Sequence, residues 1–435
     1  MNATKILDFL TRKNVTEYYS LYKETQWYDT EAMKLFQLGK LKRLVKHCYD
    51  NVPFYRKYMT DLGLTATDIK SLEQLNLFPI ITKEIIQQNY KSFIPDNIKQ
   101  IKGVKTSPTG GTTGNPLFKR NDANTRSSVW GSYKRYEDWM GYLNTDKTLV
   151  LMGGQIKNNR LRDRVISKSI NILENSISVD IYNTSNETIN KIISLLFKNN
   201  FSYIRSYPQF LFSVAQKLEQ KGLSFKLKSI SLTAEPVMPA HRHLFKKIFN
   251  SEIFDQYGCG EIGGIAYECD RHEGLHIAEE RVIIETNKFN ELIITDLDNY
   301  AMPFIRYWNA DQAEISENCC SCGRQSKLIK KIIGRTCDYV VGINGQFLHP
   351  SYFWALFYDS NIAINRRLRK FQIVQNSETN LLIRLVADPL SDEEKEYFIS
   401  DIKNRIGDMT IEFSYELEIE NTKTGKYRAV INKLL

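Results

Sequence analysis

The chain has 435 residues with 59 Lys or Arg and 50 Asp or Glu, so its formal net charge is +9. Hydrophobic residues make up 42% and charged residues 25%, a composition that excludes a wholly disordered, collagen-like or coiled-coil protein. The seven cysteines are too sparse for a secreted disulfide scaffold. The length predicts roughly two to three domains.

No stretch of the sequence reaches the roughly 18 uncharged apolar residues that a membrane span needs. Charges at Lys5, Asp8 and Arg12 interrupt the apolar core that a signal peptide would have. We therefore expect a cytoplasmic protein with reduced thiols and no membrane span. Basic and acidic residues are interleaved along most of the chain, which argues against a nucleic-acid partner and suits a small anionic substrate such as a nucleotide.

Helical spacing dominates the N-terminal part of the chain, where Leu38, Leu41 and Val45 recur on one face and Pro53 ends the segment. Further along, short apolar runs alternate with helical patterns. In chain order they predict a strand at 148–154, a helix at 187–199, a strand at 201–207, a helix at 208–222, a strand at 228–235 and a helix at 239–249. This alternation predicts an α/β architecture with largely parallel strands.

The C-terminal part of the chain has a different pattern. Two strand-like runs precede a helix that a capping box of Ser391 and Glu394 opens and that Gly407 ends. Another alternating run follows at 410–419. A β-β-α-β module of about 100 residues is long enough for a separate small domain. The sequence therefore predicts a large N-terminal domain and a small C-terminal domain, with bounds 1–335 and 336–435.

The most informative short segment is Thr109-Gly-Gly-Thr-Thr-Gly-Asn-Pro116, which we call the glycine-threonine loop. Its glycines and threonines predict a flexible turn whose amides and hydroxyls can wrap phosphate oxygens. A Walker loop has a lysine directly after its last glycine, and this loop has Asn115 there. Turns of this composition are also common as plain structural elements, so the prediction of a phosphate site depends on other segments.

Several further segments follow in a fixed order, namely Ala234-Glu-Pro236, Gln256-Tyr-Gly-Cys-Gly-Glu261, Pro303-Phe-Ile-Arg-Tyr-Trp-Asn-Ala-Asp311, Gly334-Arg335 and Thr424-Gly-Lys-Tyr-Arg428. Together with the glycine-threonine loop, they resemble the ordered motifs of the adenylate-forming enzymes. The segment Asn51-Val-Pro-Phe-Tyr-Arg56 and the pair Tyr207-Pro208 narrow the resemblance to the phenylacetate–coenzyme A ligase-like branch, which includes CapK-type proteins of capsule biosynthesis. The resemblance spans nearly the whole chain.

The resemblance implies an enzyme that uses ATP and Mg²⁺ to convert a carboxylic acid into an acyl-adenylate, with release of pyrophosphate. The acyl group would then pass to coenzyme A, or to an amine or hydroxyl acceptor such as a saccharide precursor. The implied fold is α/β, with mixed and parallel sheets in the large domain and a small, mobile C-terminal α+β domain. Because two anions must meet, such chemistry needs phosphate donors, a divalent metal and a cation.

Individual roles also come from the resemblance. Lys426 would be the catalytic cation, and Glu261 would hold Mg²⁺, which prefers oxygen ligands. Asp311 would accept the ribose hydroxyls, Tyr257 would stack on adenine, and Arg335 would reach phosphate or ribose. The other implied ATP- or AMP-binding residues are Thr109, Gly110, Gly111, Thr112, Thr113, Gly114, Ala234, Glu235, Pro236, Gln256 and Gly258.

The sequence departs from the family pattern at three positions. Asn115 stands where the loop often has a lysine, and Lys119 or Arg120 is expected to compensate. Cys259 with Gly260 replaces a commoner segment that carries a hydroxyl before Glu261. Cys337 stands at the hinge, where the family often has an aspartate, so the usual electrostatics of the hinge are not expected.

Residues 258–263 also satisfy the G-x-G-x-x-G pattern of dinucleotide-binding proteins. That pattern requires a helix that begins at the last glycines. Here a cysteine-rich segment and a strand-like run follow almost at once, which leaves no room for such a helix. We therefore exclude a dinucleotide-dependent oxidoreductase.

The cysteines are clustered with histidines, since His272 and His276 follow Cys269 and three further cysteines lie at 319–322. Thiolates and imidazoles suit tetrahedral zinc, although the Cys-x-Cys spacing is only suggestive. Some members of the resembled branch carry a structural zinc on a Cys…His pair and a later Cys-x-Cys-Gly-Arg. The resemblance thus implies the ligands Cys269, His276, Cys320 and Cys322, with His272 and Cys319 as alternates.

Two alternatives remain open at this stage. The chain could be a non-catalytic nucleotide-binding protein or a zinc-stabilised interaction protein on the same fold, although retention of Glu261, Asp311 and Lys426 favours an enzyme. The aromatic residues on one predicted helix would line an acid pocket or belong to the helix core, and they are Trp130, Tyr133, Tyr136, Trp139 and Tyr142.

Overall fold

The computed structural model of the chain describes residues 8, 14–108, 117–143, 145–152, 169–181, 186–234, 237, 239–316, 318–332, 340–343, 345–348, 352–353, 356–357, 368, 370–417, 419 and 430–434. Within the described ranges, no helix is both long enough and apolar enough to cross a membrane.

The α-helices with assigned bounds are α1 Val15–Thr25, α2 Thr30–Asn51, α3 Pro53–Asp61, α4 Lys83–Gln88, α5 Ala123–Trp139, α6 Asn186–Lys198, α7 Pro208–Gln220, α8 Pro239–Phe249 and α9 Asp392–Ile406. Short 3₁₀ turns lie at Glu73–Leu77, Tyr90–Phe93 and Ile98–Gln100.

The strands are β1 Lys105–Pro108, β2 Phe118–Asn121, β3 Thr148–Met152, β4 Ser176–Asp180, β5 Tyr203–Ser206, β6 Ser229–Thr233, β7 Glu252–Cys259, β8 Gly263–Glu268, β9 Leu275–Ile277, β10 Val282–Thr286, β11 Glu291–Asp296, β12 Tyr307–Ser316, β13 Leu328–Ile332, β14 Val340–Val341, β15 Phe347–Leu348, β16 Lys370–Ser377, β17 Asn380–Val386, β18 Thr410–Tyr415 and β19 Val430–Asn432.

The chain divides into two compact units, and the first comprises residues 1–109, 117–145 and 254–335. Its strands lie in the order β10–β11–β12–β13–β9–β8–β7, and each pair of neighbours is antiparallel. Helix α2 begins where the Asp29 side chain accepts a hydrogen bond from the Ala32 amide, and Pro53 occupies the first turn of α3. The core of this unit includes Leu41, Tyr55 and Phe304.

The second unit comprises residues 110–116, 146–253 and 336–435. Strands β6, β5, β3 and β4 lie side by side in that order and are all parallel. Helices α6, α7 and α8 alternate with these strands along the chain, as expected for crossover connections between parallel strands. The core contains Ile204, Leu211 and Phe249. The predicted α/β class is therefore confirmed, and α8 has the predicted bounds.

The C-terminal part of the second unit contains a sheet of order β18–β17–β16–β19. The predicted capping box opens α9: the Ser391 side chain accepts from the Glu394 amide, and Glu394 accepts from the Ser391 amide. Gly407 follows the helix with φ +90°. The strand predicted at 410–419 ends at Tyr415. The predicted domain boundary, 335/336, falls within residues 333–339, outside the described residues, and stays a prediction.

Candidate functional site

Glu261 lies in a tight turn between β7 and β8, in the first unit. Cys259 pairs with Gly263 across this hairpin, so residues 260–262 form the turn, which we call the Glu261 turn. A Cβ atom on Gly258 would collide with the carbonyl oxygen of Gly263, and Gly263 itself has φ +95°. The hairpin therefore explains both glycines. In a dinucleotide-binding motif they would instead lie in a turn from a strand to a helix. The exclusion of a dinucleotide fingerprint is confirmed.

Three polar side chains join β7 to β12 and form what we call the Tyr257 cluster, composed of Tyr257, Asn309 and Asp311. The phenol of Tyr257 donates to Asp311 Oδ2 at 2.7 Å. Asn309 Nδ2 donates to the Tyr257 oxygen at 2.7 Å and to Asp311 Oδ2 at 2.9 Å. The Asp311 amide donates to Asn309 Oδ1 at 3.0 Å, so each member contacts both others. Asp311 is 8% exposed and Asn309 is 2% exposed.

A bulge in β12 produces this arrangement. Glu291 of β11 pairs with Gln312, whereas Ile293 pairs with Trp308, so residues 309–311 stand opposite a single residue of β11. Ala310 within the bulge has φ +62°, a conformation that a residue with a Cβ rarely adopts. Such strain persists only where surrounding contacts enforce it, and here the cluster supplies them.

The electrostatics keep Tyr257 as a hydrogen-bond donor. Burial raises the pKa of its phenol well above the usual value, and the negative charge of Asp311 raises the pKa further. The phenol therefore holds its proton and orients the carboxylate. The sequence motifs predict adenine stacking for Tyr257 and give Asn309 no role. The available signal was the Asn-x-Asp spacing, because residues i and i+2 of a strand share a face.

The charges of Glu261, Asp311 and Lys119 all act on one thiol, that of Cys259. Burial raises the pKa of Cys259, and the charges of Glu261 and then Asp311 raise it further, while Lys119 lowers it. The Lys119 ammonium on β2 donates to the main-chain oxygen of Glu261 at 3.4 Å. Within the first unit, the structure thus brings the Tyr257 cluster and the Glu261 turn together.

The other predicted nucleotide-binding residues fall in different places. Ala234 directly follows β6 in the second unit and has φ +71°, so its backbone is also strained. Gln256 is buried on β7. The remaining predicted residues lie outside the described residues, and they are Thr109, Gly110, Gly111, Thr112, Thr113, Gly114, Glu235, Pro236, Arg335 and Lys426.

A second candidate site is the Cys–His cluster of Cys269, His276, Cys320 and Cys322, whose ligand atoms all lie within 4.8 Å of one another. The sulfurs of Cys269 and Cys320 are 3.6 Å apart, and Cys322 Sγ lies 3.4 Å from His276 Nε2. A tetrahedral zinc with Zn–S of about 2.3 Å would separate two sulfurs by about 3.8 Å. The donor set and its spacing therefore fit structural zinc.

The surroundings of the Cys–His cluster also suit a metal. His276 Nδ1 is 2.8 Å from Ser326 Oγ, a contact that orients the ring so that Nε2 faces the sulfurs. Burial lowers the pKa of His276 to about 3, so the ring is neutral, as a ligand must be. The Gly323 amide donates to the Cys320 carbonyl at 3.1 Å and closes a tight turn around Cys322.

The alternate ligands lie outside this cluster. The exposed Cys319 thiol donates to Gln325 Oε1 at 3.2 Å. His272 Nδ1 lies 3.1 Å from Glu268 Oε1. The geometry therefore favours the four residues that the resemblance implied, and their role as zinc ligands remains a proposal.

The aromatic residues of α5 mainly occupy the core. Tyr136 is fully buried against Tyr267 at a ring separation of 5.1 Å, and Trp139 packs 5.5 Å from the His276 ring. Of the two readings left open by the sequence, the helix-core reading fits these residues.

The chain is similar in sequence to known phenylacetate–coenzyme A ligases and, in its C-terminal part, to a CapK domain. Residues 344–433 match the family model of the CapK C-terminal domain. The phenylacetate–coenzyme A ligase of Thermus thermophilus is 24% identical over 383 residues, covering 82% of this chain and 81% of the relative. That of Pseudomonas putida is 26% identical over 343 residues, covering 74% and 75%.

Solved structures agree in fold. A 2-hydroxyisobutyryl-CoA ligase, in complex with 2-HIB-AMP and CoA in the thioesterification state, aligns with a TM-score of 0.64 at 15% identity, covering 94% of this chain and 92% of that one. Its open conformation aligns with a TM-score of 0.57 at 16% identity, covering 91% and 90%. These similarities confirm the resemblance to the adenylate-forming enzymes of the phenylacetate–coenzyme A ligase-like and CapK-type branch that the sequence motifs indicated.

Proposed function

We propose that this protein is an AMP-forming acid–thiol ligase. In the first step, a carboxylate oxygen of the acid attacks the α-phosphorus of ATP, and pyrophosphate leaves. In the second step, the thiolate of coenzyme A attacks the acyl carbonyl, and AMP leaves with the carboxylate oxygen that it gained. The observation that carries the proposal is the Tyr257 cluster beside the Glu261 turn, in a chain that is similar to phenylacetate–coenzyme A ligases over most of its length.

The described residues would act on the nucleotide as follows. Asp311 would accept hydrogen bonds from the ribose hydroxyls, which suits an ionised carboxylate. Tyr257 and Asn309 would fix the orientation of that carboxylate, and the tyrosine ring would offer a face to adenine. Glu261 would hold Mg²⁺, which would neutralise charge on the phosphates when bound.

The residues outside the described ranges complete the proposal from sequence alone. The glycine-threonine loop would supply amide and hydroxyl donors to the phosphates. Lys426 would place its ammonium at the charge that develops in the adenylation step. Arg335 would reach phosphate or ribose from the presumed domain junction.

Structural zinc at the Cys–His cluster is a separate part of the proposal. Four protein ligands leave no open position for substrate, so the metal would stabilise the fold and would not take part in catalysis. It would tie the β8–β9 region to the segment before β13.

A pyrophosphate-exchange assay tests the proposed activity. Labelled pyrophosphate should enter ATP only when a substrate acid from a panel of aromatic, aliphatic and hydroxy acids is present, and Lys426→Ala should abolish the exchange. A product assay with coenzyme A, and with amino or hydroxyl sugars in its place, then identifies the acceptor. If no acid supports exchange while MgATP still binds, the protein is a non-catalytic nucleotide-binding member of the family. If MgATP does not bind either, the zinc-stabilised interaction protein is the better account.

A further inference from the structure

Lys119 lies on β2 and contacts the Glu261 turn of the proposed nucleotide site. Strand β2 pairs with β1 in an antiparallel hairpin in which Ser107 faces Lys119 and Pro108 faces Phe118. Residues 109–117 therefore link the paired ends of the two strands, and they include the whole glycine-threonine loop. Lys119 lies on β2 just after that link.

The ammonium of Lys119 points to the Glu261 turn. Its Nζ donates to the Glu261 main-chain oxygen at 3.4 Å, and its charge acts on the Cys259 thiol. With the Asn121 amide turned so that its oxygen faces Lys119, a second acceptor lies at 3.1 Å. A β-hairpin and a turn that are more than 130 residues apart in sequence thus meet at this one ammonium.

The partners of Lys119 do not neutralise it. A lysine ammonium has three donors, and both acceptors described above are uncharged amide oxygens. Among the described residues, no carboxylate oxygen lies within salt-bridge distance of Lys119 Nζ. Burial lowers the pKa of this lysine, while the more distant charges of Glu261 and Asp296 oppose that effect. A half-buried cation without a paired anion is costly, and a bound anion would remove that cost.

We propose that Lys119 is a phosphate-binding residue, and that it supplies to the nucleotide the positive charge that Asn115 does not. The inference rests on the proposed function and adds to it a residue that would contact the substrate. A phosphate next to the Glu261 turn would be the third and only charged acceptor of the Lys119 ammonium. The same phosphate would lie beside the Mg²⁺ that Glu261 is proposed to hold.

The strand geometry selects Lys119 over Arg120. Consecutive side chains of a strand point to opposite faces, so only one of the two can face the Glu261 turn. Lys119 makes that contact.

Calorimetric titration of the full chain with MgATP and, separately, with adenosine tests the inference. Lys119→Gln should weaken MgATP binding about tenfold to a hundredfold, the range for a lost charge-assisted hydrogen bond, and should leave adenosine binding unchanged. Lys119→Arg should retain part of the MgATP affinity. Arg120→Gln and Lys105→Gln, on the same hairpin, should bind both ligands as the wild type does.

If Lys119→Gln does not fold, chemical acetylation of the lysines of the wild-type protein, measured by mass spectrometry, tests the inference instead. MgATP should protect Lys119 and should not protect the exposed Lys105. Unchanged MgATP affinity in Lys119→Gln, an equal loss in Arg120→Gln, or absence of protection overturns the inference and leaves the proposed function standing. If the wild type binds no MgATP, the proposed function itself fails, and the inference fails with it.

Discussion

The Tyr257 phenol donates a 2.7 Å hydrogen bond to Asp311 Oδ2 and thereby links the strand that leads into the Glu261 turn to the bulge of β12. Because the tyrosine remains protonated, this bond fixes the direction of a carboxylate that would otherwise rotate about its side chain. The geometry of Asp311 therefore depends on a residue more than 50 positions earlier in the chain.

Tyr257→Phe removes this hydrogen bond and keeps the aromatic ring. We expect kcat/KM for ATP to fall about tenfold to a hundredfold, mostly through a higher KM, because the carboxylate that we propose to bind ribose loses its orientation. Steady-state kinetics at saturating acid measure the effect. Tyr58→Phe removes a phenol whose one partner among the described residues is the Leu77 carbonyl, and it serves as the matched control. Equal kinetics for Tyr257→Phe and the control would mean that the phenol does not position Asp311.

Asn309→Ala tests whether the three residues act as one unit. Each member bonds to both others, so the effects of Tyr257→Phe and Asn309→Ala on ATP affinity should not add. We expect the double variant to bind ATP only slightly more weakly than the worse single variant. A double-mutant cycle by calorimetry gives the coupling energy. A coupling energy of zero would show that Asn309 and Tyr257 act independently.

Metal analysis tests the Cys–His cluster. The purified protein should contain one zinc per chain, and Cys322→Ser should lose it together with several degrees of melting temperature, since a structural zinc contributes folding energy. Cys319→Ser changes the adjacent exposed thiol, which lies outside the cluster, and should retain the metal. Absence of zinc from the wild type, or equal loss in both variants, would rule out the proposed ligand set.

Glu279 makes the stability of the protein depend on pH. Burial, and then the charge of Glu280, raise the pKa of Glu279 to about 7 from its usual 4.5. A carboxyl whose pKa is raised by folding destabilises the folded state once it ionises, so its cost is absent below pH 4.5, grows as the pH rises, and is complete above pH 7.

Glu279→Gln removes that charge and keeps the shape of the side chain. We expect the free energy of unfolding of Glu279→Gln to exceed that of the wild type by about 2 kcal/mol at pH 8, in the range expected for a pKa shift of this size. At pH 4 we expect no difference. Thermal denaturation at both pH values measures it. Glu24→Gln, on an exposed part of α1, should leave the stability unchanged at both pH values. A pH-independent effect of Glu279→Gln would show that the charge carries no such penalty.

Local patterns predicted much of the fold. Apolar periodicity and boundaries at Pro and Gly predicted the bounds of α7, α8, β5 and β6 to within a few residues of those observed. The capping box at Ser391 is present as predicted. These features depend on nearby residues, so a sequence can encode them locally. Tyr257, Glu261 and Asp311 come from separate sequence motifs, and the structure places them near one another.

The parts that sequence could not predict depend on contacts between distant segments. The bulge of β12 places Ala310 at positive φ, which alanine itself disfavours, so no local signal marks it. The hydrogen bond from Asn309 to Tyr257 joins two distant strands, so the Asn-x-Asp spacing alone did not reveal it. The choice between Lys119 and Arg120 required the position of the Glu261 turn, which only the folded chain shows.

The most direct test of the whole account is an isotope-transfer experiment. The enzyme is incubated with MgATP, coenzyme A and a substrate acid labelled with ¹⁸O in its carboxylate, and the AMP is analysed by mass spectrometry. Attack of the carboxylate on the α-phosphorus followed by transfer to the thiol leaves one ¹⁸O in each AMP. Thioester formation with unlabelled AMP, or with ADP as the nucleotide product, would contradict the account.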